Sequence, residues 1–121
     1  MAAILLAEDE AVLRMLIMDS LEDEGYEIDS AGDGEEAYAM LTNRHYDLII
    51  LDYMMPKLTG IEVIERLRRR TEGPVPQILM LSAKSQLSEQ EKVLAAGADA
   101  FMSKPFSPLE LVAKVKEMLH G

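Results

Sequence analysis

The chain has 121 residues, no cysteine, 49% hydrophobic and 28% charged residues, a length and composition that suit one self-sufficient domain over residues 1–121. The lack of cysteine excludes disulfide scaffolds, thiolate zinc sites and cysteine nucleophiles together. A net charge of −10 argues against binding nucleic acid, which depends on lysine and arginine neutralising phosphates.

Short apolar runs alternate with helical patterns along the whole chain. Ala3–Ala7 is a continuously apolar strand candidate. A helix over 10–24 follows, closed by Gly25, and an alternating strand over Tyr26–Ala31 comes next. Asp33 and Glu36 open a second helix over 34–44 with an N-terminal capping pattern. Leu48–Leu51 is again continuously apolar, and a helix over 60–71 follows the turn Met55-Pro56-Lys57-Leu58-Thr59-Gly60. Four arginines crowd the end of that helix, at 66, 68, 69 and 70, where cations complement the helix dipole. Ile78–Leu81 is the fourth strand, Ser88 with Glu91 caps a helix over 88–97, and Gly97 ends it. A weaker strand spans Ala98–Ser103, and Ser107-Pro108-Leu109-Glu110 opens a last helix over 108–120.

Five strands alternating with five helices require parallel, right-handed crossovers and hence a doubly wound α/β sandwich. The longest apolar runs, Ala2–Ala7 and Leu48–Leu51, fall far short of the ~20 residues of a membrane helix. No basic segment precedes the first of them to make a secretory signal. A soluble, cytoplasmic protein without membrane contact is expected.

In such sheets ligands bind beyond the carboxyl ends of the strands. The polar residues lie at those ends: Glu8 and Asp9 after the first strand, Asp52 at the end of the third, Ser82 at the end of the fourth, and Lys104 after the fifth. Three carboxylates held close raise one another's pKa, and a hard divalent cation such as Mg²⁺ relieves that conflict. Lysine adds a fixed positive charge and serine one hydrogen bond, so the set suits a transferred phosphoryl group. Asp52 is then metal ligand and candidate nucleophile. Taken singly, each residue has a plainer reading: an acidic first turn for Asp9, a turn residue for Asp52, loop solvation for Lys104. The two histidines, His45 and His120, read as solvated. Twelve of the 22 acids fall in residues 1–36, where Arg14 is the only base.

With these residues in place, the chain resembles the receiver domain of two-component response regulators over essentially its whole length. The resemblance is carried by Leu6-Ala-Glu8-Asp9, Leu51-Asp52-Tyr-Met-Met-Pro56, Met80-Leu-Ser82-Ala83 and Met102-Ser-Lys104-Pro105-Phe106. It implies a flavodoxin-like (βα)5 three-layer sandwich around a parallel five-stranded sheet of order 2-1-3-4-5. It implies that a histidine kinase, a phosphotransfer protein or a small phosphodonor phosphorylates Asp52. Mg²⁺, or Mn²⁺ in its place, would be held by Asp9, by Asp52, by Glu8 largely through water and by the Met54 backbone carbonyl. Ser82 and Lys104 would bind phosphoryl oxygens, Phe101 would be the switch aromatic, and the Lys104–Pro105 bond would be cis. Met54 and Lys84 stand where relatives tune dephosphorylation. Glu8 replaces the commoner aspartate.

The expected function is thus a phospho-accepting switch, not a dedicated enzyme, acting on a downstream protein effector through its fourth helix, fifth strand and fifth helix. Asp99 matches the charge network by which winged-helix regulators dimerise there, but Ala100 and Lys114 depart from it. A monomer or weak dimer is therefore expected. The alternatives are the receiver part of a truncated DNA-binding regulator, a flavodoxin-like cofactor module and a haloacid-dehalogenase-type phosphatase. Glu8-Asp9-Glu10 would repel a flavin phosphate, and Met54 stands where the phosphatase pattern needs a second aspartate.

Overall fold

The computed structural model describes residues 2–69, 75–83 and 87–120, the side chains of 87–89 excepted. Its elements are β1 (Ala3–Ala7), α1 (Ala11–Asp23), β2 (Glu27–Ala31), α2 (Gly34–Asn43), β3 (Leu48–Asp52), α3 (Gly60–Arg68), β4 (Gln77–Ser82), α4 (Leu87–Ala96), β5 (Ala100–Ser103) and α5 (Pro108–His120). The five strands form one parallel sheet of order β2-β1-β3-β4-β5, the doubly wound arrangement the sequence implies.

The three central strands are apolar over Ala3–Ala7, Leu48–Leu51 and Ile78–Leu81 because helices cover both faces. Leu5, Ala7, Ile49, Leu51, Ile78 and Met80 face a core completed by Ala37, Leu41, Val63, Ile64, Leu67 and Val93 of α2, α3 and α4. Ile4, Leu6, Leu48, Ile50, Leu79 and Leu81 face the other core with Ile17, Leu21, Leu111 and Val115 of α1 and α5. Consecutive residues thus enter opposite cores, so a one-residue slip in register would exchange the two sets.

Local signals account for most boundaries. Asp33 accepts a hydrogen bond from the Glu36 amide at 2.9 Å, and Ser107 and Glu110 exchange both capping-box bonds. A further capping box, Thr59 with Glu62, starts α3. β5 begins two residues later than the sequence suggests. The amide of Ala98 still bonds the Val93 carbonyl, Gly97 has a φ of 124°, and the register with β4 runs from Ala100, after the Asp99 amide has reached the Ile78 carbonyl. Tyr26 is likewise held by the Leu21 carbonyl, so β2 starts at Glu27. Lys84 and the side chain of Ser88 lie outside the described residues.

The end of the chain is better anchored than a solvated reading of His120 implies. Its Nε2 lies 3.0 Å from the Tyr26 hydroxyl, and the two rings stack at 6.0 Å. Lys116 pairs with Glu24 one turn away, tying α5 to the corner between α1 and β2. His45 is exposed, 3.7 Å from an Asp47 oxygen. The α3 arginines are more than dipole partners: Arg66 covers the Tyr38 ring, and Arg68 donates to the Gly97 carbonyl that ends α4.

Candidate functional site

Parallel strands ending at one edge bring side chains from four loops together. Glu8 follows β1, Asp52 closes β3, Ser82 closes β4 and Lys104 follows β5. All three of Glu8, Asp52 and Ser82 are buried, at 0%, 6% and 2% exposure, whereas Asp9 is exposed. The Lys104 ammonium bridges the first two, 2.9 Å from Glu8 Oε1 and 3.3 Å from Asp52 Oδ2. Its own amide donates to the Ser82 carbonyl at 2.7 Å, extending the β4–β5 pairing into the loop. The Lys104–Pro105 bond that follows is cis.

The acids also converge. Glu8, Asp9 and Asp52 each offer a carboxylate oxygen within 4.8 Å of the other two. Burial pushes the Asp52 carboxyl up, and Glu8 pushes it further, to about 7 against an opposing pull from Lys104. The lysine is itself raised: its two carboxylate partners outweigh the cost of burying its charge. One ammonium shared between two buried acids leaves a residual negative charge, and Asp9 adds to it. Glu8 Oε1 makes no hydrogen bond of good geometry although it is fully buried. An all-oxygen donor set whose three carboxylates have one ammonium between them fits a hard divalent cation.

Around this centre the remaining predicted residues fall into place unequally. Met54 lies two residues beyond Asp52 and is 58% exposed. Phe101 pairs with Met80 across β4–β5 and is partly buried against the core under α2–α4. Asp99, which the resemblance matches to a dimer-face charge network, is exposed, accepts the Ile78 amide at 2.8 Å and lies 4.0 Å from Arg68. Lys114 lies 3.8 Å from Glu117 of its own helix. Two features escaped the sequence reading. Arg14 reaches back from α1 to the Glu8 carbonyl, and Lys57, at φ 70°, lies 3.7 Å from the α2 cap Asp33. Arg14 had a signal, as the one base among twelve acids; the Lys57 conformation had none.

Comparisons with known proteins agree with this fold. The family model of the response regulator receiver domain matches residues 4–116. The phosphate regulon transcriptional regulatory protein PhoB of Rhizobium meliloti is 47% identical over 116 residues, covering 96% of this chain and 51% of PhoB. The transcriptional regulatory protein ResD of Bacillus subtilis is 44% identical, covering 96% and 47%. The chain spans about half the length of the curated relatives it matches. Among solved structures, the chemotaxis response regulator CheY4 of Vibrio cholerae superposes with a TM-score of 0.92 at 33% identity, over 98% of this chain and 99% of CheY4. The receiver domain of the sensor histidine kinase PA1611 from Pseudomonas aeruginosa, with a magnesium ion coordinated in its active-site cleft, gives 0.89 at 28% identity, over 99% and 98%.

The chain belongs to the response regulator receiver domain family. It is therefore a phosphoryl-accepting signalling switch of two-component systems. Among the described residues no helix is long and apolar enough to cross a membrane.

Proposed function

We propose that Asp52 is the phosphoacceptor and that the strand-end cluster is built around its phosphorylated form. The observation that carries this reading is the Lys104 ammonium, held between the buried Glu8 and Asp52 with the exposed Asp9 carboxylate beside them. An Asp52 oxygen attacks the phosphorus of a phosphohistidine or acyl phosphate, the P–O bond to aspartate forms, and the bond to the donor breaks. Lys104 and the Ser82 hydroxyl take the phosphoryl oxygens. Glu8, Asp9, Asp52 and the Met54 carbonyl would hold Mg²⁺ or Mn²⁺, which neutralises charge as the phosphoryl group approaches. With its pKa near 7, Asp52 is partly protonated at neutral pH and then a poor nucleophile. A cation at the cluster favours the ionised, reactive form. Acetyl phosphate with Mg²⁺ should therefore add one phosphoryl group, mapped to the Asp52 peptide. Full labelling of Asp52→Asn, or of the parent in excess chelator, would refute the assignment.

The protein promotes its own phosphorylation and dephosphorylation rather than serving as a dedicated enzyme. Its partners are a histidine kinase or phosphotransfer protein and an effector met through α4, β5 and α5, within the cytoplasm. Since its relatives PhoB and ResD are transcriptional regulators of about twice this length, a DNA-binding regulator is the second context we propose. Lifetime is set beside the site. An exposed Met54 side chain obstructs water and cannot orient it, so Met54→Asn should shorten the phosphoaspartate half-life severalfold, read by phosphate release. No change, or a longer half-life, would exclude Met54 as the barrier.

The dimer-face charges are engaged within the domain, Asp99 with the Ile78 amide and Lys114 beside Glu117. Beryllofluoride-activated protein should accordingly sediment as a monomer at micromolar concentration. A dimer that Asp99→Ala and Lys114→Ala dissociate would restore the paired-charge interface.

A further inference from the structure

Arg14 is the sole base among the twelve acids of the first 36 residues, yet among the described residues it forms no ion pair. Its guanidinium donates from α1 to the backbone carbonyl of Glu8 at 2.7 Å, and it stands 3.7 Å from where a Cβ on Gly32 would be. It is half-buried there, between the β1–α1 and β2–α2 loops. A counter-ion would seek carboxylates; this one braces a peptide.

The peptide it braces is the one that matters for the cluster. The Glu8 carbonyl belongs to the peptide unit joining Glu8 to Asp9, so holding that oxygen fixes the plane from which the Asp9 side chain departs. Glu8 has other restraints: its amide donates to the Ala31 carbonyl, its Oε2 accepts from the Glu10 amide at 3.2 Å, and its Oε1 faces Lys104. Asp9 is exposed and, among the described residues, has no hydrogen bond or ion pair of its own. Its carboxylate is nevertheless within 4.8 Å of the other two. Arg14 also closes the loop at its far side, where the Arg14 amide bonds the Glu10 carbonyl at 2.9 Å.

We infer that Arg14 is a positioning residue that aims Asp9 at the divalent cation by clamping the Glu8–Asp9 peptide. This inference rests on the metal reading of the cluster given above. Groups that orient a metal ligand without touching the ion commonly matter to affinity by about tenfold or more when removed. The idea makes a prediction opposite in sign to simple electrostatics. Removing a cation near an acidic site should tighten Mg²⁺ binding if charge alone counts; it should weaken binding if Arg14 holds the loop.

The test uses Mg²⁺ alone as the probe, with affinity read from calorimetric titration and from the Mg²⁺-dependent rise in Tm. Arg14→Met keeps the apolar stem but loses donors and charge; Arg14→Lys keeps the charge and an ammonium donor group without the planar fork. Melting in chelator confirms that each is folded at the titration temperature. The expected result is affinity lowered about tenfold in Arg14→Met and recovered in large part in Arg14→Lys. Unchanged or tighter binding in Arg14→Met overturns the positioning role while leaving the metal reading intact. Equal losses in both variants overturn it as well, since then neither donor nor charge at this position restores the site. If the parent itself binds no Mg²⁺, the metal reading fails and takes this inference with it.

Discussion

At pH 7.5 in chelator, Asp52→Asn is expected to melt about 3–8 °C above the parent, a stabilisation on the order of 1–2 kcal/mol. The sign follows from the pocket. Burial, and then Glu8, raise the Asp52 carboxyl to about 7, so its ionised form is disfavoured by folding despite Lys104 at 3.3 Å. Asparagine keeps the shape without the charge, and Lys104 retains Glu8 at 2.9 Å as a partner. The pH dependence is diagnostic. A carboxyl whose pKa rises on folding favours the folded state while it is protonated, below its unfolded value near 3.8. That contribution is lost as pH climbs from about 4 to about 7. The gap in Tm between variant and parent should therefore be smallest near pH 4.5, widen toward pH 7 and then level off. Saturating Mg²⁺ should narrow or reverse it, because binding stabilises the parent by mass action. An asparagine variant that melts below the parent at pH 7.5 in chelator would show that the Lys104 pair outweighs burial.

Gly34→Ala should be the most damaging conservative change near the site, with a loss of about 2–4 kcal/mol and a Tm lower by about 8–15 °C. Gly34 is the first residue of α2, and the loop after β3 lies directly on it. A Cβ there would stand 2.1 Å from the Leu58 carbonyl oxygen and 2.5 Å from the Leu58 Cβ. Neither obstacle is the free end of a flexible side chain, so the loop itself must move. Lys57, next to Leu58, already adopts φ 70° and reaches Asp33, and Gly34 donates weakly to the Pro56 carbonyl. Displacing this loop also disturbs the segment holding Met54, so Mg²⁺ affinity should fall with stability. Gly32→Ala is the control: its Cβ would meet only an Arg14 nitrogen at 3.7 Å, and its Tm should stay within a few degrees of the parent. Equal melting of the two alanine variants would contradict the close approach at Gly34.

Most of the chain's architecture is determined by the sequence alone, because its signals are local and mutually consistent. Continuous apolar runs at Ala3–Ala7 and Leu48–Leu51 require cover on both faces, and capping residues such as Asp33 and Ser107 mark where helices begin. Parallel crossovers then leave only one sheet edge for Glu8, Asp52, Ser82 and Lys104. That edge was legible because strand ends are places in the sequence as much as in space. The tertiary structure alone decided how those groups divide their charges: that Glu8 and Asp52 are buried, that Lys104 serves both of them, and that Asp52 is the carboxyl pushed up to about 7. It also decided what the backbone does for the site, through the Arg14 guanidinium on the Glu8 carbonyl and the Leu58 carbonyl against Gly34. Asp99 and His120 make the same point, since both found partners from distant segments, the Ile78 amide and the Tyr26 ring. Desolvation and contacts between residues far apart in the chain depend on distances between elements, and no local pattern of residues encodes those distances.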